Sequence, residues 1–241
     1  MPLETRAQAL NRRFRNHSAT AVMAHALAGP DDIALVSSFG AESVVLLHMA
    51  AVIDRRVPVL FIDTEMLFAE TLVYQQEVAE RLRLENVQVI RADRARLFEA
   101  DNENLLHLHD PDACCALRKT EPLQAALKAH DGWITGRKRY QGGQRAALDF
   151  FEVEHPSGAP ARLKINPLAH WDSADVRDYM AENRLPRHPL VTKGYPSIGC
   201  APCTHPVAPG EDARAGRWKG QDKAECGIHF VDGKPVRTAA E

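Results

Sequence analysis

The chain has 241 residues and a formal net charge of −2, from 30 Lys and Arg against 32 Asp and Glu; 45% of its residues are hydrophobic and 26% charged. This composition excludes collagen, coiled coil and wholesale disorder, and its balanced charge gives no global basic field for bulk nucleic-acid binding. No apolar run approaches the roughly 20 residues of a membrane-spanning helix. The opening MPLETRAQALNRRFRN lacks the apolar centre of a secretory signal. A cytoplasmic protein is expected, with neither nucleic acid nor membrane as partner and a homo-oligomer allowed. Thiols stay reduced there, so five cysteines point to a metal or catalytic role rather than a disulfide scaffold.

In chain order, residues 4–28 carry apolar positions at helical spacing (Leu10, Phe14, Ala21, Met23, Leu27) and predict one or two surface helices. Gly29-Pro30-Asp31-Asp32 stops them. Ile33–Val36 is a short apolar run, as in a buried parallel strand. It ends in Ser37-Ser38-Phe39-Gly40, and a helix follows from Ser43 to Val52. The unit recurs: a strand over Val57–Ile62, a helix over 67–83 and a strand over Val87–Arg91. A helix over 113–129, a strand over Trp133–Thr135, a late strand over Arg162–Ile165 and a helix over 172–183 capped by Asp172 complete the pattern. Strands alternating with helices predict an α/β fold, a parallel twisted sheet flanked by helices. After about Pro186 the apolar periodicity stops. Residues 1–185 are expected to form the nucleotide-binding domain. Residues 186–241 are expected to form an irregular, cysteine-containing segment packed on it.

Ligands of an open parallel sheet bind beyond the carboxyl ends of its strands. Three motifs fall there. Residues 37–43, Ser-Ser-Phe-Gly-Ala-Glu-Ser, join a strand to a helix, where backbone amides and the helix N-terminus attract anions. They are not a Walker loop, since no Gly-Lys-Ser/Thr follows. Asp63-Thr64-Glu65 ends the second strand and suits either a ribose or a helix cap. Residues 135–145 carry Arg137, Lys138, Arg139 and Arg145 among glycines. Such a loop suits a polyanionic small ligand, the glycines allowing close backbone approach.

The cysteines are more specific. Cys114 and Cys115 are adjacent before Arg118-Lys119, and Cys200-Ala201-Pro202-Cys203 supplies a second pair. Four thiolates suit zinc or an iron–sulfur cluster, and adjacent cysteines make an awkward zinc knuckle, so the spacing leans toward a cluster. Cys226 is left over, flanked by Glu225, Gly227 and His229, with Arg214, Arg217 and Lys219 closely preceding it. Nearby cations would raise its thiolate content and suit it to nucleophilic work.

Jointly, SSFGAES, DTE-x-LFAET, CCALRK, GCAPCT, RAGRW and ECGIH, running from residue 37 to 229, resemble the assimilatory adenylyl-sulfate reductases. These are the iron–sulfur branch of the sulfonucleotide reductases. The resemblance implies an adenine-nucleotide α-hydrolase-like fold with a modified PP-loop. It implies a [4Fe–4S] cluster on Cys114, Cys115, Cys200 and Cys203. It implies reduction of adenosine 5′-phosphosulfate (APS) to sulfite and AMP through an S-sulfocysteine on Cys226, in sulfate assimilation and cysteine biosynthesis. Thioredoxin or glutaredoxin would serve as external electron donor. The nucleotide loop would be Ser37, Ser38, Phe39 and Gly40 with Glu42 and Ser43. Further substrate contacts would come from Asp63, Thr64, Gly136 and Gln141. Lys119, Arg139, Arg214, Arg217 and His229 match the basic positions. The chain departs from the family in two places. Asp63-Thr64-Glu65 stands where Asp-Thr-Gly is frequent. Lys138-Arg139-Tyr140-Gln141-Gly142 stands where Arg-Arg-Asp-Gln-Ser is frequent. Competing expectations are use of the 3′-phosphorylated substrate PAPS alone or beside APS, an ATP-pyrophosphatase acting in tRNA thiolation, and a non-enzymatic zinc or nucleic-acid module. Phe39 and Glu42 depart from the Ser-Gly-Gly-x-Asp-Ser loop of the ATP-pyrophosphatases.

Overall fold

The structure, a computed structural model, describes residues 1–220 and Lys223. The elements run α1 (Leu3–Phe14), α2 (Ala19–Ala28), β1 (Ile33–Ser37), α3 (Ser43–Ile53), β2 (Val59–Ile62), α4 (Ala69–Leu82), β3 (Val87–Ile90), α5 (Arg94–Asp101) and α6 (Leu106–His109). There follow α7 (Pro111–Cys115), α8 (Glu121–Ala126), β4 (Gly132–Ile134), β5 (Phe151–Glu154), β6 (Arg162–Ile165) and α9 (Ser173–Glu182). Among the described residues the strands form one sheet in the order β3-β2-β1-β4-β6-β5. The expected strands and long helices are present within a residue or two at most ends.

Two features differ from expectation. The sheet is mixed: β5, not foreseen, pairs antiparallel with β6, while the other pairings are parallel. Only residues 155–161 link β5 to β6, too few for the crossover of a dozen or more residues that a parallel partner needs. The helix expected over 113–129 is broken into α7, a π-helical turn at Ala116–Thr120, and α8 with a short 3₁₀ end. Pro122 sits at the start of α8, so the ordinary hydrogen-bond ladder does not run through unbroken.

Strand residues alternate between two cores, as their period of two requires. Ile33 and Leu35 of β1, Val59 and Phe61 of β2 and Ile165 of β6 face the larger core, with α1 to α4 and α9. Ala34, Leu60, Ile62 and Trp133 face a smaller one closed by Leu123 and Leu127. At the β5–β6 edge the layer becomes polar. Glu154 accepts from Trp133 Nε1 at 3.0 Å and from Arg162 Nε at 2.7 Å. Burial there pushes the Lys164 ammonium down to about 7. Asp172 caps α9 as expected, in a capping box with Asp175.

Beyond α9 the chain turns back over α4. Tyr74 Oη donates to the Pro186 carbonyl at 2.8 Å. His188, with no exposed surface, accepts from Leu190 N at Nδ1, 3.2 Å, so its proton lies on Nε2, 3.1 Å from Thr71 Oγ1. Burial lowers the His188 pKa to about 4, outweighing the opposing pull of Glu70.

Between pH 6.5 and about 4 the unfolded chain takes up a proton at His188 that the folded chain refuses. Stability present above pH 6.5 is therefore lost as pH falls through that window. His188→Gln should be less stable than the parent at pH 7. The gap, read from urea midpoints, should shrink by up to about 3 kcal/mol at pH 4.

Candidate functional site

A cleft of about 280 Å³ opens at the carboxyl ends of β1 and β4. The strand order reverses there: β2 lies on one side of β1 and the later β4 on the other, which is where ligands bind in open α/β sheets. The floor is apolar, from Leu35, Val36, Ile62 and Trp133. The rim carries Ser37, Ser38, Gly40, Glu42 and Ser43 from the β1–α3 loop, Thr135 to Lys138 with Gln141 and Arg145 from the loop after β4, and Lys119, Arg214 and Arg217.

The β1–α3 loop is tied inward. Phe39 N donates to Ser37 Oγ at 3.1 Å and Gly40 N to Ser43 Oγ at 3.0 Å. These amides are spent on the loop's own serines rather than aimed at an anion. Each serine accepts a bond and keeps its hydroxyl hydrogen to donate. Phe39, at φ 47°, turns its ring into the core against Phe61, 5.2 Å between centroids, with no exposed surface. It shapes the loop and does not line the cleft.

The loop after β4 also sorts its residues. Arg139 turns away, donating to the Leu148 carbonyl at 2.6 Å and to Asp149 Oδ1 at 3.2 Å. Its neighbours enter instead. Lys138 Nζ pairs with Glu42 Oε2 at 2.7 Å. Tyr140 Oη donates to Glu42 Oε1 at 2.8 Å. Arg137 is braced by Glu152 and by Asn166 Oδ1 at 3.0 Å. Gln141 accepts from Lys138 N at 3.2 Å and from Arg145 Nη1. Gly136 lies within 3.3 Å of Leu46 Cδ1 where a Cβ would stand. Gly142 and Gly143 have positive φ, which the turn requires, with no other protein atom within 4 Å of where a Cβ would stand.

Asp63 and Thr64 do not reach the cleft rim. Asp63 accepts from Glu65 N at 2.9 Å and pairs with Arg91 at 2.9 Å. Thr64 Oγ1 stands 3.2 Å from Cys200 Sγ, in a second pocket. That pocket is lined by Cys114, Cys115, Cys200 and Cys203, together with Met66, His107, Arg118, Lys119, Arg217 and Trp218. The two cysteine pairs, 85 residues apart from Cys115 to Cys200, are thus brought together.

Local structure explains how. Asp110 caps α7, accepting from Asp112 N and Ala113 N. The π turn that follows places successive residues in different surroundings. Arg118 goes inward to Asp101 Oδ2 at 2.7 Å, Asn104 Oδ1 at 2.7 Å and the Thr64 carbonyl at 3.0 Å. Lys119 borders both pockets. Cys200 bridges antiparallel to Leu67 and Ala201 N donates to the Met66 carbonyl at 2.8 Å. Thr204 then bridges to Arg217, and Trp218 N donates to the Cys203 carbonyl at 3.0 Å. This seats Arg217 over Trp218, 4.5 Å from the ring centroid. The Arg217 guanidinium lies where a Gly199 side chain would be.

The thiols respond to this setting. Burial pushes Cys114 up to about 12, reinforced by Cys115. Burial likewise raises Cys203, with Cys200 adding to it. Burial would raise Cys200 too, but Lys119, the Thr64 hydrogen bond and Arg217 together bring it below the usual thiol value. His107 Nδ1 and Arg217 Nε are buried without a hydrogen-bond partner among the described residues, and both side chains line the cysteine pocket. Among the described residues no three His, Cys, Asp or Glu side chains are grouped to hold a metal ion. No described helix is long and apolar enough to cross a membrane. Cys226 and His229 lie outside the described residues.

Sequence reasoning singled out neither Trp218 nor Ser197 to Gly199 as lining, and placed Arg139 where Arg137 and Lys138 stand. No local pattern separates them: the adjacent Arg137 and Lys138 both line the cleft, and Arg139 is drawn off by the Leu148 carbonyl and Asp149.

An open, mostly parallel sheet flanked by helices, with a cation-rimmed cleft at its switch point, is an α/β fold of the adenine-nucleotide α-hydrolase-like class. Residues 32–206 match the model described as phosphoadenosine phosphosulfate reductase domain. The chain is 53% identical over 200 residues to the adenosine 5′-phosphosulfate reductase of Mesorhizobium japonicum, covering 83% of this chain and 77% of that one. It is 45% identical to the one of a Chelativorans species, covering 99% and 98%. The solved phosphoadenylyl-sulfate (PAPS) reductase of Candida auris, in a phosphate complex, superposes with a TM-score of 0.70 at 28% identity, covering 83% of this chain and 97% of that one. The chain belongs to the phosphoadenosine phosphosulfate reductase family.

The Arg118–Asp101 pair, each side chain 2% exposed, predicts a structural sensitivity. Asp101→Asn should cost about 3 kcal/mol in chemical denaturation, because it leaves a guanidinium buried without its counterion.

Proposed function

We propose that this chain reduces adenosine 5′-phosphosulfate to sulfite and AMP in sulfate assimilation, as an oxidoreductase of the cytoplasm. One observation carries the reading furthest: Lys119, Arg217 and Trp218 form a wall common to the nucleotide cleft and the cysteine pocket. Two anionic groups meet there, phosphate and sulfate. A thiolate cannot approach a sulfate until cations neutralise that charge. Lys119, Arg214 and Arg217 hold cations on the cleft rim for this purpose, and the apolar floor suits an adenine.

Cys226 is the nucleophile. Its thiolate attacks the sulfur of the substrate; the S–S bond forms, the S–O bond to phosphate breaks, and AMP leaves with the electron pair. S-sulfocysteine remains. A thiolate of thioredoxin or glutaredoxin then attacks the Cys226 sulfur, sulfite leaves with the electrons of the S–S bond, and the second thiol of the donor resolves the mixed disulfide. Residues 186–241 form the C-terminal segment in which Cys200, Cys203 and Cys226 occur, following the domain of residues 1–185.

Cys114, Cys115, Cys200 and Cys203 hold a [4Fe–4S] cluster. Such a cluster takes one thiolate per iron, so its ligands stand around a pocket rather than converging on one ion. The residues present fit it: four thiols line one pocket, and the buried Nδ1 of His107 and Nε of Arg217 offer donors to an electron-rich group. When bound, the cluster supplies a cross-link between α7 and the 200–203 loop and a fixed charge beside Lys119. Lys119 and Arg217 are then held between the cluster thiols and the cleft.

Anaerobic incubation with APS and no reductant should leave an adduct of about 80 Da on the Cys226 peptide, as a covalent intermediate requires. Cys226→Ser should lose the adduct and sulfite formation and keep its iron. Full turnover by that variant excludes Cys226 as nucleophile. Cys203→Ser should instead lose iron and the brown absorbance near about 400 nm expected of thiolate-bound iron; a colourless parent holding only zinc overturns the cluster. Turnover of APS should exceed that of PAPS, and equal or faster PAPS reduction transfers the assignment to the phosphorylated substrate.

A further inference from the structure

Glu42 lines the nucleotide cleft but not the cysteine pocket. It is the N-cap residue of α3 yet makes no capping hydrogen bond, so its carboxylate is not committed to the helix. Both oxygens are fixed from the loop after β4, Oε2 by Lys138 Nζ at 2.7 Å and Oε1 by Tyr140 Oη at 2.8 Å. Lys138 is locked further by the Gly136 carbonyl at 3.1 Å. The pair is not symmetric toward the cleft. The Lys138 side chain is 3% exposed and that of Glu42 is 32% exposed. The more exposed carboxylate therefore faces a ligand first, with the nearly buried Lys138 beside it on the cleft wall.

The position of Glu42 gives this asymmetry a use. The sulfate-bearing 5′ end of the nucleotide belongs at the wall shared with the cysteine pocket, among Lys119, Arg214 and Arg217. The nucleoside must then extend along the remainder of the cleft, over the apolar floor and past Glu42. A carboxylate oxygen keeps lone pairs for a hydroxyl donor. It repels a phosphate, as the acidic residue of dinucleotide sites favours a ribose hydroxyl over a phosphate. Arg137 is neutralised by Glu152 and braced by Asn166, and Arg145, which borders the same cleft, is held by the neutral Gln141.

We propose that Glu42, clamped by Lys138 and Tyr140, is the specificity-determining residue that accepts a free ribose hydroxyl and rejects a 3′-phosphorylated nucleotide. The inference rests on the nucleotide reading above and deepens it. Glu42 contacts the ligand; Lys138 and Tyr140 are positioning residues.

Calorimetric binding of AMP and of adenosine 3′,5′-bisphosphate to the full-length protein tests it without turnover. The parent should prefer AMP. Glu42→Gln should reduce that preference by at least about tenfold, chiefly by tightening the bisphosphate, the scale on which a charge mismatch in a polar site discriminates. Tyr140→Phe keeps the carboxylate and should retain most of the preference. Should Glu42→Gln fail to fold with Lys138 unpaired, Glu42→Gln/Lys138→Met removes both charges at similar volume and carries the same expectation. A preference in Glu42→Gln, or in that double variant, within about twofold of the parent overturns the proposal. So does a parent that binds both nucleotides equally, which leaves the nucleotide reading standing. A parent that binds neither overturns both.

Discussion

Arg118 ties together three segments that sequence distance would leave apart. Its guanidinium, 2% exposed, bonds to Asp101 at the end of α5, Asn104 in the loop beyond, and the Thr64 carbonyl after β2. A charge this deep is tolerated only with its partners in place, because a single missing one leaves an uncompensated ion. The π turn that carries Arg118 is therefore held in one position. Cys114 and Cys115 precede it and Lys119 follows it directly. The place of the vicinal thiols, and of the cation between the two pockets, follows from this buried network. π-Helical turns are rare and concentrate at functional sites; here the turn sends Arg118 inward while its neighbour Lys119 borders both pockets.

The cleft divides its charges between two ends. At the wall shared with the cysteine pocket, Lys119 and Arg217 stand beside the thiols and bring Cys200 below the usual thiol value despite burial. Around the β4 loop, cations are matched by carboxylates: Lys138 with Glu42 and Arg137 with Glu152. A ligand with one strongly anionic end and one apolar end fits this polarity, whereas an even basic rim would not orient it. The short bridges Leu67–Cys200 and Thr204–Arg217 do for the C-terminal loop what Arg118 does for the π turn. They fix Cys200, Cys203 and Arg217 with backbone pairing in a region that has no long element of its own.

Much of this was legible in residues 33–62 and 172–183. Apolar runs bounded by Gly, Pro and Ser marked β1 and β2 because buried parallel strands need apolar residues on both faces. Asp172 announced α9 because a helix start leaves amides that an aspartate can satisfy. β5 was less visible: Phe151–Glu154 carries two glutamates, of which Glu154 is buried against Arg162 and Lys164 of β6 and the half-buried Glu152 meets Arg137 from the loop after β4. Phe39 and Arg139 looked like cleft residues by motif. Their directions were decided by Phe61 and by the Leu148 carbonyl, neither of which a local reading contains. Asp63 and Thr64 likewise found partners in Arg91 and Cys200.

The sequence by itself determined the α/β class, the family and the division of the cysteines into two pairs and one remainder. These follow from local chemistry: residue type, spacing and strand-to-helix alternation. Tertiary structure alone decided that the two pairs line one pocket, that Lys119 and Arg217 border both it and the cleft, and that Glu42 meets Lys138 and Tyr140. Each of these joins residues far apart in the chain. Their meeting depends on sheet order and on buried ion pairs, whose energy exists only once both partners have been brought out of water together.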